Sequence, residues 1–478
     1  MLRTFTEHHV RDVKSLDGLW DFVIAPERKD TGTLPKKYNR EILVPSAWET
    51  IPGLEHYRGK GWLRREIVTA GGVPIRLAFG AVSHSATVYI DGKKVGSHYD
   101  GFVPFEVICP PMDFGSHELV VEVDNTFTKE SVLHQTADHW TSGGITRPVE
   151  LQTLDESGLY VDKLFATPRQ TGKTWALDVR VRLTNVSSKA MTRRLDVHLD
   201  LDNDAWDSHD FGDVKVAGRS SAEFTCTLEK LSVKGWTDET PVLYWLTAGL
   251  VAGPDEDNAF PYAIDDKTDR IGFREVKVKG DKLLVNGKPV QLRGYNRHED
   301  HGEFSHALPA EVHAGDIQRL KDLGCNFIRT SHYPNDMRFL DMCDAAGIYV
   351  WEETNSTSVD LFHKNFYAQM EADATTMVEW HFNRPSIIIW ATLNECGSKD
   401  RKTRKAHKHM LDFLRSLDSS RPVTYASNAW TKDTCQEFAD IVSWNWYEGW
   451  YGGSTETIQA EWDKLMAYTA KHPGSKGK

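Results

Sequence analysis

Apolar residues in this chain never run on for the ~20 positions that a membrane-spanning helix needs. The first thirteen residues, MLRTFTEHHVRDV, also lack the apolar core of a secretory leader. The expectation is a soluble, cytoplasmic protein with no membrane contact, or a secreted one if a leader precedes residue 1. Cysteine is sparse: Cys109, Cys226, Cys325, Cys343, Cys396 and Cys435 are scattered, with no CxxC pair. That excludes a disulfide framework and a thiolate zinc site, so reduced, mostly buried thiols are expected. Positive charge is short as well. With 57 Lys and Arg against 69 Asp and Glu the net charge is −12, the wrong sign for a nucleic-acid partner. The one basic stretch, 399–408, reads as a solvated helix face. There is no Gly-rich phosphate loop and no HExxH, so nucleotide and zinc-protease chemistry lack support and no cofactor is expected. His298, Glu299, Asp300 and His301 could be read as metal ligands, but adjacent loop residues rarely converge on one ion, so no metal is expected either.

What is present is a change of period. At about 150 residues per domain, the 478 residues suggest three domains. Residues 1–155 read as β-structure. The runs ATVYI (86–90) and ELVVEV (118–123) are broken by turn pairs such as Asp91-Gly92, and tryptophans recur (Trp20, Trp48, Trp62, Trp140). This pattern suits a jelly-roll sandwich. Residues 156–272 continue with LDVRVRL (177–183), LDVHLDL (195–201), AEFTCTL (222–228) and VLYWLTAG (242–249), as expected of seven or so short strands in an immunoglobulin-like sandwich. From 273 to 478 strands alternate with helices. The strands are 290–295, 325–331, 348–354, 387–395, 422–427 and 441–446, and the clearest helix carries the stripe Met410, Phe413, Leu414, Leu417. Regular βα alternation implies a parallel sheet with right-handed crossovers. The fold class expected is therefore multidomain β plus α/β: jelly roll, immunoglobulin-like sandwich, and a TIM (β/α)₈ barrel that stops after about six strands.

The barrel reading rests on where polar residues lie, since reactive groups in such barrels come from the C-terminal ends of the strands. Those ends carry Asn296-Arg297-His298, His332, Glu352-Glu353, Asn394-Glu395, Asn428, and Asn445 with Tyr447. Six consecutive polar ends suit a hydroxyl-rich ligand, and sugar is the natural candidate. Glycoside hydrolysis needs a carboxylic acid that protonates the leaving oxygen, held protonated by an apolar setting or a nearby like charge. Glu395, after the largely apolar IIIWATLN, would sit at the mouth of a dry barrel, with Asn394 beside it to bond a sugar hydroxyl.

SLDGLWDF (15–22), VPSAWE (44–49), RHED (297–300), RTSHYP (329–334), NRPSIIIW (383–390) and RPVTYASN (421–428) resemble glycoside hydrolase family 2, most closely its β-glucuronidases, over nearly the whole chain. The resemblance implies that Glu395 is the general acid/base and Asn394 its hydroxyl-binding neighbour. It implies that Asn445, Tyr447 and Tyr451 of WNWYEGWY (444–451) face the sugar, and that Asp138 is sent into the site from the jelly roll. His298 and His332 match sugar-contacting or site-shaping histidines. The implied activity is that of a retaining exo-β-glycosidase cleaving terminal β-D-glucuronides, with a β-galactosidase or a catalytically incomplete sugar-binding fragment as alternatives. The implied partner is a small-molecule glycoside or oligosaccharide, and the implied assembly a homo-oligomer, dimer or tetramer. Cys396 departs from the family, which often has Pro there, and so does HGEFSH (301–306) after Asp300. In the family a seventh strand carries the nucleophilic glutamate, whereas this sequence stops at HPGSKGK (472–478), so a fragment without its nucleophile is expected. Glu353 reads as a buried hydrogen-bond partner and Glu448 as a loop residue. The sequons at Asn185 and Asn355 matter only in a secreted protein.

Overall fold

The computed structural model describes residues 1–30, 32–135, 139–201, 205–253, 260–472 and 474. Between residues 12 and 153 lie a four-stranded and a six-stranded antiparallel sheet. Gly115–Asp124 runs inside the larger one, paired with Lys60–Thr69 and Ser85–Ile90. Its alternation explains the layering. Leu119, Val121 and Val123 enter a core with Trp20, Trp48 and Phe79, while Val120 meets Trp62 and Tyr89 on the opposite face. The Asp91-Gly92 pair forms the hairpin turn to Lys93–Tyr99, with φ of 47° and 76°, the left-handed pair that a two-residue turn demands.

Seven strands follow in sheets of three and four, closed over Leu177, Val179, Val181, Leu195, Val197, Leu246 and Leu250. They are 9 to 13 residues long, longer than expected. The strand Trp206–Val216 escapes the sequence pattern. It is an edge strand with charged, largely exposed side chains, as edges that must not pair further tend to be.

After a small antiparallel sheet (Val276–Lys279, Lys282–Val285, Lys288–Pro289) the topology becomes parallel. Gly294–Asn296, Phe327–Thr330, Tyr349–Glu353, Ile387–Ala391 and Val423–Thr424 form one five-stranded sheet, and Ala426–Ser427 pairs onward with Ser443–Trp444. The helices α1 (Ala310–Asp322), α2 (Met337–Ala346), α3 (Phe366–His381), α4 (Arg404–Leu417) and α5 (Ile458–Thr469) alternate with these strands. Val350, Ile387 and Trp390 pack toward the helices and Trp351, Ile389 and Ala391 toward the barrel interior, with a register shift at Ile388 breaking strict alternation along Ile387–Ala391.

Several expected strands are shorter than their sequence runs. The one expected at 290–295 occupies only Gly294–Asn296, because Val290 N–H still bonds the Leu283 carbonyl of the preceding hairpin. Gly294 is needed there, since a Cβ would stand 1.7 Å from the Phe327 carbonyl oxygen. The one expected at 387–395 closes at Ala391, and the one at 441–446 keeps only Ser443–Trp444. The basic stretch does form a helix start, but His407 is fully buried and Arg404 bonds the Thr434 carbonyl and Glu437, so it is not wholly solvated. All six cysteines are free thiols, and no helix among the described residues is long and apolar enough to cross a membrane. Asn185 and Asn355 are both buried, which removes them as glycan acceptors.

The barrel is fastened to the sandwiches by buried charge. Asp341 on α2 accepts from Arg3 Nη2 at 3.0 Å and from Thr4 N at 2.8 Å, and is also paired with Arg384. Burial pushes the Asp341 carboxyl up, but Arg3 and Arg384 outweigh it and hold it at about 2. A carboxyl depressed below its unfolded value of about 3.9 stabilises the fold above that value, and the stabilisation is lost as pH falls through the folded pKa. We expect Asp341→Asn, which leaves buried Arg3 with only Glu7 and Asp269 and buried Arg384 with only Asp344, to cost about 3 kcal/mol in chemical denaturation at neutral pH. The variant's stability should also lose part of the wild-type decline between pH 4 and pH 2.

Candidate active site

Beyond Ala391 the chain leaves the sheet through two non-glycine residues in left-handed conformation, Leu393 (φ 58°) and Glu395 (φ 56°). Such backbone is held only where its surroundings fix it. Here the Leu393 side chain is fully buried and its N–H bonds Ser356 Oγ at 2.7 Å, while Glu395 N–H bonds the Ala426 carbonyl at 2.9 Å. The Glu395 carboxyl is therefore delivered by a loop, four residues past the strand. Its surroundings are polar, contrary to the dry apolar mouth expected. Asn445 Nδ2 donates to Oε1 at 2.5 Å and Asn428 Nδ2 to Oε2 at 3.0 Å, one amide for each oxygen.

Beneath this carboxyl lies the Arg329 guanidinium, buried at the end of Phe327–Thr330. Its Nη2 donates to Asn394 Oδ1 at 2.8 Å and its Nη1 to Asn445 Oδ1 at 3.2 Å. Asn445 Nδ2 also reaches Asn394 Oδ1, at 3.0 Å. With that oxygen doubly occupied, Asn394 Nδ2 is left as a donor toward the cavity above. Arg329 Nε and Nη2 grip Glu353 at 2.8 and 3.2 Å, and Trp351 Nε1 and His332 Nδ1 reach the same carboxylate at 2.8 and 2.6 Å. Burial pushes Glu353 up, yet Arg329 and then His332 hold it at about 2. It is a neutralised structural anion. The bond from His332 Nδ1 to Glu353 turns the other ring nitrogen to the cavity.

The cavity measures about 580 Å³. Barrel residues Asn394, Glu395, Asn428, His332, Asn355, Tyr447 and Tyr451 line one side, and Leu133, Gln135, His139 and Thr141 of the first sandwich line the other. The sandwich segment is held against the barrel at three points. Arg147 Nη2 donates to the Pro334 carbonyl at 2.7 Å and Arg147 Nε to Glu299 at 3.2 Å, while the Trp140 carbonyl meets His306 Nε2 at 2.7 Å. Gly143 must be glycine because a Cβ there would lie 2.1 Å from the Trp48 ring. A second hollow of about 460 Å³ occupies the barrel interior and shares Tyr447, but its walls are mainly Leu292, Phe327, Trp351, Ile389 and Ile441.

Of the residues expected at the site, Glu395, Asn394, His332, Tyr447 and Tyr451 line the cavity. Asn445 lies under it as the brace between Glu395 and Asn394, and not as a wall residue. His298 is exposed beside it, its ring 5.3 Å from those of His139 and His332. Asp138 lies outside the described residues. Arg329, His139, Thr141 and Arg147 were not singled out. Only Arg329 gave a signal, as a charge inside an otherwise apolar strand. The metal reading of 298–301 fails because Glu299 turns inward while His301 Nδ1 accepts from Glu303 N–H. Glu299, His313 and Asp336 do place ligand atoms within 4.8 Å of one another. However, Arg147 neutralises Glu299 at 3.1 Å, Arg338 neutralises Asp336 at 2.6 Å, and Arg297 donates to His313 at 3.0 Å. Three guanidinium groups fill the role a cation would take.

A parallel-stranded barrel with a carboxyl held by amides at its strand ends, under a β-sandwich wall, is the architecture of a sugar-processing enzyme. Comparison with known proteins makes this specific. Residues 276–473 match the model of the glycosyl hydrolases family 2 TIM barrel domain. A β-galacturonidase from Eisenbergiella tayi is 34% identical, with a TM-score of 0.89 over 100% of this chain and 81% of its own. A Bacteroides uniformis β-glucuronidase is 27% identical, with a TM-score of 0.85 over 98% of this chain and 58% of its own. A β-galactosidase from Alteromonas mediterranea is 29% identical over 471 residues, 86% of this chain and 42% of the relative. The chain belongs to glycoside hydrolase family 2. It spans about half the length of the first curated relatives it matches, 52% and 42%.

The Arg329–Glu353 pair yields a stability test. Arg329→Met leaves the buried Glu353 with only Trp351 and His332 as partners and should cost about 3 kcal/mol. The Arg329→Met/Glu353→Gln double variant should recover at least ~1 kcal/mol of that loss in denaturant titrations, since both members of the coupled pair are then neutral. Strict additivity of the two single losses would show that the pair is not coupled.

Proposed function

We propose that the 580 Å³ cavity takes the terminal sugar of a β-glycoside and that Glu395 protonates the departing oxygen. One observation carries this. Among the described residues Glu395 is the only carboxylate lining the cavity, with each of its oxygens fixed by an amide and a free amide donor beside it on Asn394. General acid catalysis needs a carboxyl placed in this way against a hydroxyl-binding wall. His332, Tyr447 and Tyr451 supply further polar and aromatic partners for a sugar ring.

In this reading the enzyme is a retaining exo-β-glycosidase, with a β-glucuronide as first choice of substrate and a β-galactoside as second. Resemblance to a β-galacturonidase and to β-glucuronidases supports a sugar that carries a carboxylate. Retention requires a second carboxylate about 5–5.5 Å from the first. Glu353 is engaged by Arg329, Trp351 and His332, so the reading assigns the nucleophile to no described residue. The same observation favours one alternative, a sugar-binding protein without turnover.

Phenyl β-D-glucuronide, whose poor leaving group needs protonation, separates these readings. Release of phenol that Glu395→Gln lowers by roughly 10²–10⁴-fold, with binding unchanged within a few-fold, is the expected result. A variant as fast as wild type would remove Glu395 from the chemistry. Binding by the wild type without release of phenol would favour the sugar-binding alternative.

A further inference from the structure

Just outside the cavity wall the first sandwich carries a cation that no described carboxylate pairs. Arg58 is half-buried, and among the described residues it forms no ion pair. Its guanidinium lies 4.5 Å from the Phe127 ring centre and 4.8 Å from that of Trp140. Only Nη1 makes hydrogen bonds, both long: 3.3 Å to Thr141 Oγ1 and 3.5 Å to the Asn125 carbonyl. Nε and Nη2 make none among the described residues. Burial lowers the Arg58 pKa, the direction expected of a guanidinium removed from water without full compensation.

The carboxyl whose field reaches Arg58 is committed elsewhere. Glu49 accepts from Gly143 N–H at 2.9 Å and from Asn125 Nδ2 at 3.1 Å, and burial pushes it up to about 7, so it is only partly ionised at neutral pH. Both rings beside Arg58 are themselves open to solvent, Trp140 at 42% and Phe127 at 37%. A planar cation between exposed aromatic faces is a surface that grips an anion borne on a flat group, through charge-assisted bonds and stacking together.

Position decides which part of a ligand this surface meets. Thr141, which Arg58 touches, lines the cavity, whereas Arg58, Phe127 and Trp140 do not. Resting on the reading that the cavity holds the terminal sugar of an exo-cleaved glycoside, a group reaching Arg58 lies outside the space of that sugar, where the leaving group continues. We propose that Arg58, framed by Trp140 and Phe127, is a subsite for a carboxylate carried by the leaving group. The substrate class this selects is a β-glycoside of an aromatic acid, or of an acidic sugar in a longer chain.

The test measures binding by calorimetry, so it does not depend on turnover. The probes are phenyl β-D-glucuronide, 4-carboxyphenyl β-D-glucuronide and phenyl β-D-glucoside, titrated into wild type, Arg58→Gln and Arg58→Lys. Wild type should bind the carboxyphenyl glucuronide roughly five- to ten-fold more tightly than the phenyl one, with the margin shrinking as salt screens the contact. Arg58→Gln should abolish the margin and leave phenyl β-D-glucuronide within two-fold. Arg58→Lys, which keeps the charge but loses the planar fork, should retain part of the margin. No margin in wild type, or one that survives Arg58→Gln, overturns the subsite. Equal weakening of both glucuronides but not of the glucoside would place Arg58 on the reacting sugar's own carboxylate and overturn the leaving-group assignment. If none of the three binds wild type, the glycoside reading of the cavity fails first and the subsite falls with it.

Discussion

A guanidinium buried under a cavity floor must have its charge matched and its N–H groups directed, and satisfying Arg329 fixes most of what stands above it. Glu353 matches the charge and in turn draws the proton-bearing nitrogen of His332 downward. The remaining donors take the carbonyl oxygens of two asparagines, Asn394 and Asn445. An amide whose oxygen is pinned presents its nitrogen in one direction only. That is how Asn445 comes to donate to Glu395 and Asn394 is left facing the ligand space. Removing the cation would free three side chains at once, because each is oriented by the same planar group.

This arrangement sets two glutamates in opposite surroundings. The carboxylate buried under the cavity floor, Glu353, is paired so completely that it stays ionised well into acid. Glu395, delivered by a left-handed loop outside the sheet, has its carboxyl held by the neutral amides of Asn428 and Asn445. Two glutamates that look alike at the ends of neighbouring strands thus differ in what surrounds them, and the difference lies in one arginine.

Much of this was legible in the chain. Period-two runs such as 177–183 and the βα alternation after 273 reported the layers correctly, because burial on one or both faces writes itself directly into hydrophobic spacing. Glu395 and Asn394 were readable as polar residues closing an apolar run. Harder to read was how far the strands extend. The run 387–395 continues apolar through Leu393, which is buried in a loop and not in the sheet, and composition does not distinguish the two. Trp206–Val216 was hidden for the opposite reason, since an edge strand has no need of an apolar pattern. Asn445 was recognised, but as a wall residue. Its bracing role depends on Arg329, 116 residues away, and such a contact exists only after folding.

The contribution of the first sandwich follows from the same logic of buried charge. Arg147 crosses from it to Glu299 and the Pro334 carbonyl, and once this bond is made the segment bearing His139, Trp140 and Thr141 must lie over the barrel mouth. The sandwich thereby closes a cavity that the barrel alone would leave open. Barrel and sandwich can then vary separately. The barrel floor is constrained by Arg329 and its partners, whereas the rim around Arg58 is held by aromatic contacts and two long hydrogen bonds. On the proposed reading, selectivity for the leaving group can shift at that rim without disturbing the floor, because among the described residues no bond in the Arg329 network passes through it.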